Sequence, residues 1–196
     1  MKKLLTICVL MSAIVAMGIT LEAKTTKKAR KGKSRTSQTT KKTTSYSNLN
    51  GHQAVDLGLS VKWATCNLGA YSPEDKGSYF LGSQNDRAHQ EWGGGWRLPN
   101  IFEVQELLNL CYWTWTGNGY RITGRNGNSI FLPSTGRKFQ NPYSNELYYS
   151  KEGFYWTGTL CDGLKKAYTL NFENGKKGIN SHEFSLYAMP IRAVIK

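Results

Sequence analysis

The sequence predicts an α+β fold in which short antiparallel strands outnumber the helices. In PNIFEVQELLNLC, the residues Val104, Leu107, Leu108 and Cys111 fall at i, i+3, i+4 and i+7, the spacing of one helix face. Asn-Gly pairs stand between apolar runs at two places and predict hairpins. The remaining apolar runs are short and are separated by Gly-rich or polar stretches, which indicates strands joined by turns.

Residues 1 to 23 are predicted to be a signal peptide. Lys2 and Lys3 precede an apolar run from residue 4 to 19, and small residues follow it as cleavage positions. The run is shorter than the roughly 20 apolar residues that span a bilayer. We therefore expect an exported protein without a membrane span, in the periplasm, at the cell surface or outside the cell. Cys8 lies inside the run instead of after it, which argues against a lipid anchor.

Residues 24 to 50 are predicted to be a basic, disordered linker. The stretch from 24 to 45 contains nine Lys or Arg and no acid, and its few apolar groups cannot offset the entropy of ordering. From residue 46 onward 15 basic residues face 12 acidic ones, so most of the formal charge of +13 belongs to the linker. Two interpretations stay open, namely a solvated spacer and a polyanion contact through residues 24 to 44 without specific nucleic-acid recognition.

Residues 51 to 196 are predicted to form one domain, which is long enough to bury a core without cross-links. After signal cleavage three of the four cysteines remain, and these allow at most one internal disulfide. Cys66 follows a strand-like apolar run and Cys111 closes the predicted helix, so both are expected at the edge of the core. For an exported protein we predict a Cys66–Cys111 disulfide and a free Cys161.

The domain begins with a predicted strand and a long loop. Residues 54 to 69 alternate apolar and polar side chains over Leu59, Val61 and Trp63, the period of a half-buried strand. The next stretch, from about residue 70 to 95, is rich in Gly, Asp and Ser and is expected to be loop. Its acids Glu74, Asp75 and Asp86 can supply oxygen ligands to calcium, although a solvated loop is the favoured interpretation.

The segment WGGGWRLPN, residues 92 to 100, is either a phosphate-binding loop or a structural corner. A phosphate loop needs a lysine and a hydroxyl residue where the helix begins, and Trp-Arg-Leu-Pro follows the glycines here. Asn100 can cap the helix, and Glu103 can complete a capping box. Because that carboxylate would occupy the anion-binding end of the helix, we predict a structural corner and no nucleotide site.

Downstream of the helix the chain is predicted to form hairpins. Asn126-Gly127 and Asn174-Gly175 each separate two apolar runs, and residues 153 to 159 and 188 to 195 supply further strands. Between the hairpins lies TGRKFQNPYSNELYYSKEG, which is long, polar and rich in tyrosine. It is expected to be a surface loop.

Several of these segments together resemble a known family. GHQAVDLGLSVKWATCNLGA, SPEDKGSYF, WRLPNIFEVQELLNLCYWTWT, GNSIFLPSTG, YWTGT and the final IRAVI occur in order over residues 51 to 196 and resemble the Fibrobacter-type major paralogous domain of exported Bacteroidetes proteins. That domain is similar to C-type-lectin-like domains. The resemblance implies chain ends paired in one sheet, one or two helices packed on it, and a long loop region before the last strands.

We expect no metal or other cofactor, because the chain departs from the pattern of the calcium-dependent lectins. Calcium-dependent lectins carry a Glu-Pro-Asn or Gln-Pro-Asp triplet and a Trp-Asn-Asp triplet, where this chain has Asn-Pro-Tyr at 141 to 143 and Trp-Thr-Gly at 156 to 158. Catalytic motifs are missing, and His52, His89 and His182 have no metal-ligand spacing and are expected at the surface or in turns. The related formylglycine-generating enzymes use a late pair of cysteines, of which only Cys161 is present, so an enzyme is the least favoured class.

The aromatic residues divide into a predicted core and a predicted recognition loop. Trp63, Trp96 and Trp156 are expected in the core, with their indole N–H groups bonded to the backbone. Residues 139 to 152 combine tyrosine with amides and a carboxylate, which is typical of recognition surfaces; inward packing of these tyrosines is the alternative. The candidate ligand-binding residues are Asn141, Tyr143, Asn145, Glu146, Tyr148 and Tyr149. We expect a non-enzymatic module that binds a glycan or surface protein, with a structural subunit of a surface complex as the alternative.

Overall fold

The computed structural model of the protein describes residues 45–82, 85–140, 146–161, 165–183 and 185–196. The helices in these ranges are α1 (Arg87–Trp92) and α2 (Ile101–Leu110). The strands are β1 (Tyr46–Leu49), β2 (His52–Val55), β3 (Lys62–Ala64), β4 (Phe80–Leu81), β5 (Tyr112–Trp115), β6 (Gly119–Thr123), β7 (Ser129–Pro133), β8 (Arg137–Phe139), β9 (Leu147–Tyr148), β10 (Gly153–Cys161), β11 (Lys166–Glu173), β12 (Lys176–Glu183), β13 (Tyr187–Met189) and β14 (Val194–Ile195).

These strands form small antiparallel sheets. Their orders are β1-β2-β3-β14, β10-β11-β12, β4-β13-β8-β9 and β5-β6-β7. The first sheet, called the terminal sheet below, joins the beginning and the end of the domain through β3 and β14. The combination of such sheets with two short helices in the described residues is a mixed α+β fold, so the coarse fold class is confirmed. No helix in these ranges has the length and apolar character needed to cross a membrane.

The ordered domain begins before the predicted boundary at residue 51. β1 pairs along its whole length with β2, with Tyr46 opposite Val55 and Leu49 opposite His52. Asn50 and Gly51, both with positive φ, form the turn between the two strands. The composition of the basic segment concealed this strand, because Tyr46 and Leu49 are its only large apolar residues. Residues 46 to 49 therefore belong to the sheet and not to the linker.

Two adjoining clusters of buried side chains form the core. One contains Trp96 and Trp156, and the other contains Trp63 with Val104 and Leu107 from α2. All three tryptophans are at most 1% exposed, as predicted. The indole N–H of Trp96 donates to the Leu49 carbonyl and that of Trp156 to the Phe80 carbonyl, each at 2.9 Å. Trp63 departs from the prediction, because its buried N–H has no hydrogen-bond partner within the described part of the chain.

The glycine corner before α2 is structural. The Asn100 side chain accepts a hydrogen bond from the Glu103 amide at 3.0 Å, and the Glu103 carboxylate accepts one from the Asn100 amide at 2.8 Å, which completes the predicted capping box. Arg97 donates to the same carboxylate at 2.9 Å. Burial opposes ionisation of Glu103, but the bonds from Arg97 and Asn100 outweigh it and hold the pKa of this carboxyl below its usual value. The helix end is thus already occupied by a side-chain anion.

The strand predicted over residues 54 to 69 is interrupted, and one hairpin has a longer loop than expected. Gly58 adopts a φ of 74° and donates to the Asp56 carboxylate at 2.6 Å, which turns the chain between β2 and β3. Five residues, 124 to 128, connect β6 and β7, where Asn126 and Asn128 both donate to the Asp56 carbonyl. These distant bonds hold the wider loop open. The second hairpin, between β11 and β12, has the predicted two-residue Asn-Gly turn.

Arg192 crosses between the two ends of the domain. It is 1% exposed and donates from Nη1 to the carbonyls of Ala64 and Thr65, at 3.1 and 2.8 Å. Its Nε donates to the Asn67 side chain at 2.8 Å, and Asn67 in turn donates to the Lys76 carbonyl at 2.9 Å. Burial lowers the pKa of Arg192. Three neutral acceptors thus hold this cation in place, while its Nη2 is buried without a hydrogen-bond partner among the described residues.

The capping box predicts a specific loss of stability. Replacing Asn100 with Ala removes the acceptor for the Glu103 amide and is expected to lower the free energy of unfolding by about 1 kcal/mol. The matched control is Asn100→Ser, which keeps a hydroxyl acceptor and should lose less. Urea unfolding of the three proteins measures the difference. Equal stability of the Ala variant and the wild type would show that the cap contributes nothing.

Candidate functional site

Two of the predicted site tyrosines lie at the surface. Tyr148 is 40% and Tyr149 is 55% exposed, so the expected exposure is confirmed for this part of the loop. The Tyr148 hydroxyl donates to the carboxylate of the exposed Glu146 at 3.0 Å. The predicted site residues that lie outside the described residues are Asn141, Tyr143 and Asn145.

Arg137, at the start of β8, is surrounded by aromatic side chains. Its Cζ lies 4.3 Å from the ring centre of Tyr187, 4.8 Å from that of Phe154 and 4.9 Å from that of Tyr149. His182 extends the group, at 5.4 Å from the Tyr187 ring and 5.9 Å from the Phe154 ring. Each cation–π contact contributes about 0.5–1 kcal/mol where exposed, and more where water is excluded. These five residues are called the Arg137 cluster below.

Strand pairing brings the members of the cluster together from distant parts of the chain. β8 lies between β9 and β13, which places Arg137 opposite Tyr148 and next to Tyr187. Phe154 belongs to β10 and His182 to β12, the outer strands of a separate sheet. The main chain reinforces the contact, since the Gly136 amide donates to the Glu152 carbonyl at 2.8 Å. The cluster therefore lies where two sheets meet.

Clefts open on both sides of Arg137. The main cleft has a volume of about 410 Å³ and lies over β11 and β12. The smaller tyrosine cleft has about 270 Å³ and is lined by Arg137, Phe139, Tyr148, Tyr149 and Tyr187. Arg137 and Tyr149 line both clefts. Besides members of the cluster, the main cleft has polar and charged walls contributed by Glu152, Asn171, Glu173, Lys176, Lys177 and Asn180.

Two glycines near the main cleft have different roles, and only Gly178 lines the cleft. Gly178 lies opposite Asn171 on β12, and a Cβ placed there meets no atom within 4 Å. The missing side chain therefore leaves open space in the wall of the cleft. Gly153 has the opposite surroundings, because a Cβ there would lie 2.1 Å from the ring of Phe172, which packs flat across the strand. The first glycine leaves room for a ligand, and the second makes room for the core.

Tyr149 has a strained backbone. Its φ of 56° is in the left-handed region, which costs a tyrosine roughly 1–3 kcal/mol. The Tyr149 carbonyl accepts a hydrogen bond from the Glu152 amide at 2.9 Å, which closes a tight turn. The turn holds the tyrosine ring beside Arg137, at the border between the two clefts. Strained residues of this kind are concentrated at functional sites.

His182 is buried in the wall of the main cleft and is neutral near pH 7. It is 8% exposed, which corrects the prediction of a surface or turn residue. The sequence of β12 did not predict this burial, because the packing of the sheet determines which face of the strand is covered. Burial and the nearby positive charge of Arg137 lower the pKa of His182 to about 4. Since the Thr169 hydroxyl donates to Asn171 at 2.6 Å, it accepts from His182 Nδ1 at 2.9 Å.

The charges on the walls of the main cleft are partly paired. Lys176 and Glu173 form an ion pair at 2.8 Å with largely exposed side chains. Lys177 lies over the Trp113 ring at 5.8 Å. Burial, assisted by the negative charge of Glu173, raises the pKa of Glu152, while Arg137 and Lys176 oppose the shift. Positive charge is thus in slight excess on the cleft walls.

The predicted Cys66–Cys111 disulfide is absent from the structure, where Cys66 and Cys111 are free thiols, whereas Cys161 is free as predicted. Cys66 follows β3 and lines a separate cleft with Arg121. Cys111 ends α2 and packs against the core cluster that contains Trp63, where burial raises the pKa of its thiol to about 11. Both cysteines lie at the edge of the core, but at different parts of that edge. The predicted Cys66–Cys111 pairing lacked that information.

Two of the three acids considered for calcium, Asp75 and Asp86, have main-chain partners. The Asp75 carboxylate accepts from the amides of Gly77 and Tyr71, at 3.1 and 3.3 Å. Asp86 caps α1 and also accepts from the Leu98 amide at 3.1 Å. Within the described ranges no group of three or more His, Cys, Asp or Glu side chains is arranged to hold a metal ion.

The central residue of the site was not among the predicted ones. Arg137 stands in TGRKFQ, which the sequence analysis included in a surface loop. Its neighbours Lys138 and Phe139 make the segment polar overall, and a three-residue strand is too short for a clear alternation. The available signal was the run of tyrosines beginning eleven residues later, since a cation near several aromatic residues can form cation–π contacts. Phe154 and Tyr187 were missed because they approach Arg137 only when distant parts of the chain come together in the fold.

No protein-family profile, curated protein or solved structure matches the chain.

The lowered pKa of His182 predicts a loss of stability in mild acid. The unfolded chain takes up the histidine proton near its usual pKa of 6.5, whereas the folded protein takes it up only at about pH 4. The free energy of unfolding is therefore expected to fall as the pH decreases from about 6.5 to about 4.

His182→Asn should show a weaker pH dependence over that range, since it cannot take up the proton. His89→Asn, at an exposed position, is the matched control and should follow the wild type. Urea unfolding at several pH values provides the measurement. A wild-type profile that is unchanged by His182→Asn would contradict the assignment.

Proposed function

We propose that the protein is an exported, non-enzymatic module that binds a glycan at the Arg137 cluster, through a C-type-lectin-like domain. Export rests on the signal-like sequence of residues 1 to 23. The glycan assignment rests on the side chains of the two clefts. The proposed location is the periplasm, the cell surface or the medium.

The proposed family membership has support at two levels. The ordered motifs, above all VDLGLSVKWATCN and WRLP, resemble the Fibrobacter-type major paralogous domain. The fold has coarse features that this resemblance implies, namely chain ends paired in the terminal sheet and two short helices beside small antiparallel sheets in the described residues. The proposal extends these features to a C-type-lectin-like domain.

The observation that carries the proposed function is the position of Tyr148 and Tyr149. Both rings are exposed and line the tyrosine cleft, and Tyr149 also lines the main cleft, whose walls present amide, carboxylate and amine groups. A sugar offers apolar ring faces edged by hydroxyls, so it is recognised by flat aromatic area combined with hydrogen-bonding groups. Asn171 and Asn180 supply amides at the main cleft, within reach of a ligand that contacts Tyr149.

The ionisable groups of the cleft are held in contacts that suit binding better than catalysis. His182 is neutral and bonded to Thr169, and Lys176 is paired with Glu173. General acid–base chemistry near pH 7 is most efficient with a group whose pKa lies near that pH. The low pKa of His182 therefore does not favour such a role.

Two other functions make different predictions. A structural subunit of a surface complex would use the same loop to dock a protein and would show no sugar binding. A polyanion-binding protein would use residues 24 to 44 and would bind independently of the clefts. Binding by variants of the clefts separates these functions from the proposal.

The tyrosines predict a loss of glycan binding without unfolding. On a glycan array, Tyr148→Ala combined with Tyr149→Ala is expected to abolish the binding seen for the wild type. The free energy of unfolding should change by no more than about 1 kcal/mol, because exposed side chains and one cation–π contact are lost. Tyr71→Ala, at a residue that is 99% exposed, is the matched control.

A second variant blocks the cleft without removing any contact. Gly178→Leu directs a side chain into the empty space and should abolish binding while the protein keeps its fold. Failure of the wild type to bind any glycan would refute the proposed function. A stability loss of about 3–5 kcal/mol in the tyrosine variant would show instead that the rings belong to the core.

A further inference from the structure

Arg97, Arg137 and Arg192 are all wholly or partly removed from water, and they differ in what accepts their hydrogen bonds. Arg97 is paired with the Glu103 carboxylate. Arg192 donates to two carbonyls and to Asn67 from Nη1 and Nε, and only its Nη2 lacks a partner among the described residues. Arg137 has neither kind of acceptor. Its Nε is buried without a hydrogen-bond partner, and no carboxylate of the described residues forms an ion pair with it.

The contacts that Arg137 does make leave its donors available. Cation–π contacts with Tyr149, Phe154 and Tyr187 involve the guanidinium charge but accept no conventional hydrogen bond. The N–H groups of a guanidinium lie in its plane and form a fork that matches the two oxygens of a carboxylate. Because Arg137 lines both clefts, a ligand in either one reaches this residue. The side chain is therefore held in place with donors unused.

The surrounding charges favour an anion. Lys176 and Lys177 add positive charge to the walls of the main cleft. Of the two acids there, Glu173 is occupied by Lys176, and Glu152 has a raised pKa caused first by burial. His182 contributes no competing positive charge near pH 7, because burial lowers its pKa. Lys177 is exposed and contacts a ring, whereas Arg137 has a buried donor without an acceptor among the described residues, so Arg137 is the cation of the cleft that gains most from a ligand carboxylate.

We propose that the ligand is an acidic sugar whose carboxylate binds the Arg137 guanidinium while its ring packs against Tyr149. This inference rests on the proposed glycan function and specifies the class of glycan as one that contains uronic acid. The carboxylate supplies the acceptor that Arg137 lacks. The volume of about 410 Å³ is within the range of roughly 300–1,000 Å³ for small-molecule sites. The amides of Asn171 and Asn180 then bind hydroxyls.

The test compares one sugar in charged and neutral forms. The probes are trigalacturonate, the same trisaccharide with its carboxyls methyl-esterified, and maltotriose, titrated into the full chain by calorimetry. Trigalacturonate is expected to bind at least about tenfold more tightly than its ester, because the ester removes the charge-assisted hydrogen bonds to the guanidinium. Equal affinity for the charged and esterified forms would overturn the inference and leave the glycan function standing.

Variants assign the preference to Arg137 and not to the basic tail. Arg137→Gln should lose at least about tenfold in trigalacturonate affinity, and Arg137→Lys should recover part of the loss. The matched control Arg125→Gln removes the same charge at an exposed site and should bind as the wild type does. All variants keep the basic tail, so unchanged affinity of Arg137→Gln would show binding elsewhere and overturn the inference.

Stability measurements guard against a variant that fails to fold. If Arg137→Gln lowers the temperature of the thermal transition, two other measurements replace it. The wild type with charged and esterified sugar tests whether binding needs the carboxylates, and Gly178→Leu tests whether binding occurs in the main cleft. Retained trigalacturonate binding by Gly178→Leu would overturn the inference. Absence of binding by all three sugars would refute this inference and count against the glycan function, which the broader array tests separately.

Discussion

The buried cation of Arg192 fixes the geometry on which the rest of the domain depends. A buried charge is costly unless donors find acceptors, and here the acceptors are the last carbonyl of β3, the carbonyl after it and the side chain of Asn67, which leave only Nη2 without a partner in the described part of the chain. The end of the domain must therefore lie against its beginning. Arg97 continues the same attachment through main-chain hydrogen bonds with Val194 in both directions, and the glycine corner and α2 follow directly. Asn67 transmits the constraint into the long loop by donating to the Lys76 carbonyl.

Arg137 uses the same functional group in the opposite way. Arg192 is surrounded by oxygen acceptors and is closed to ligands, whereas Arg137 is surrounded by rings and is open to two clefts. Aromatic rings stabilise a cation without using its hydrogen bonds. They can therefore hold a guanidinium in position and leave its directional donors for another molecule. This difference, more than the exposure of any tyrosine, separates a structural arginine from a candidate ligand-binding one.

Local chemistry in the sequence was sufficient to predict the helix and one hairpin in detail. Asn100, Glu103 and the Asn174-Gly175 turn act over a few residues, so the sequence pattern determines their structure. The longer hairpin loop was not predictable in this way, since Asn126 and Asn128 donate to Asp56, about seventy residues away. The site follows the same rule. The exposure of Tyr148 and Tyr149 was predicted from a polar neighbourhood, but the cluster around Arg137 depends on which strands pair, and no short segment contains that information.

The strain at Tyr149 indicates that the site is organised before any ligand arrives. A left-handed tyrosine costs roughly 1–3 kcal/mol, and its one cation–π contact with Arg137 offsets only part of that cost. Two main-chain hydrogen bonds offset the rest of the cost, one from the Glu152 amide to the Tyr149 carbonyl and one from the Gly136 amide to the Glu152 carbonyl. Because these bonds form on folding, the cost is met in the free protein and not during binding. Binding a ligand at Tyr149 then requires less ordering of the loop and its side chains. A small, rigid ligand can therefore bind more tightly than the contact area of the cleft alone would predict. A flexible loop with the same residues would have to lose that entropy at each binding event.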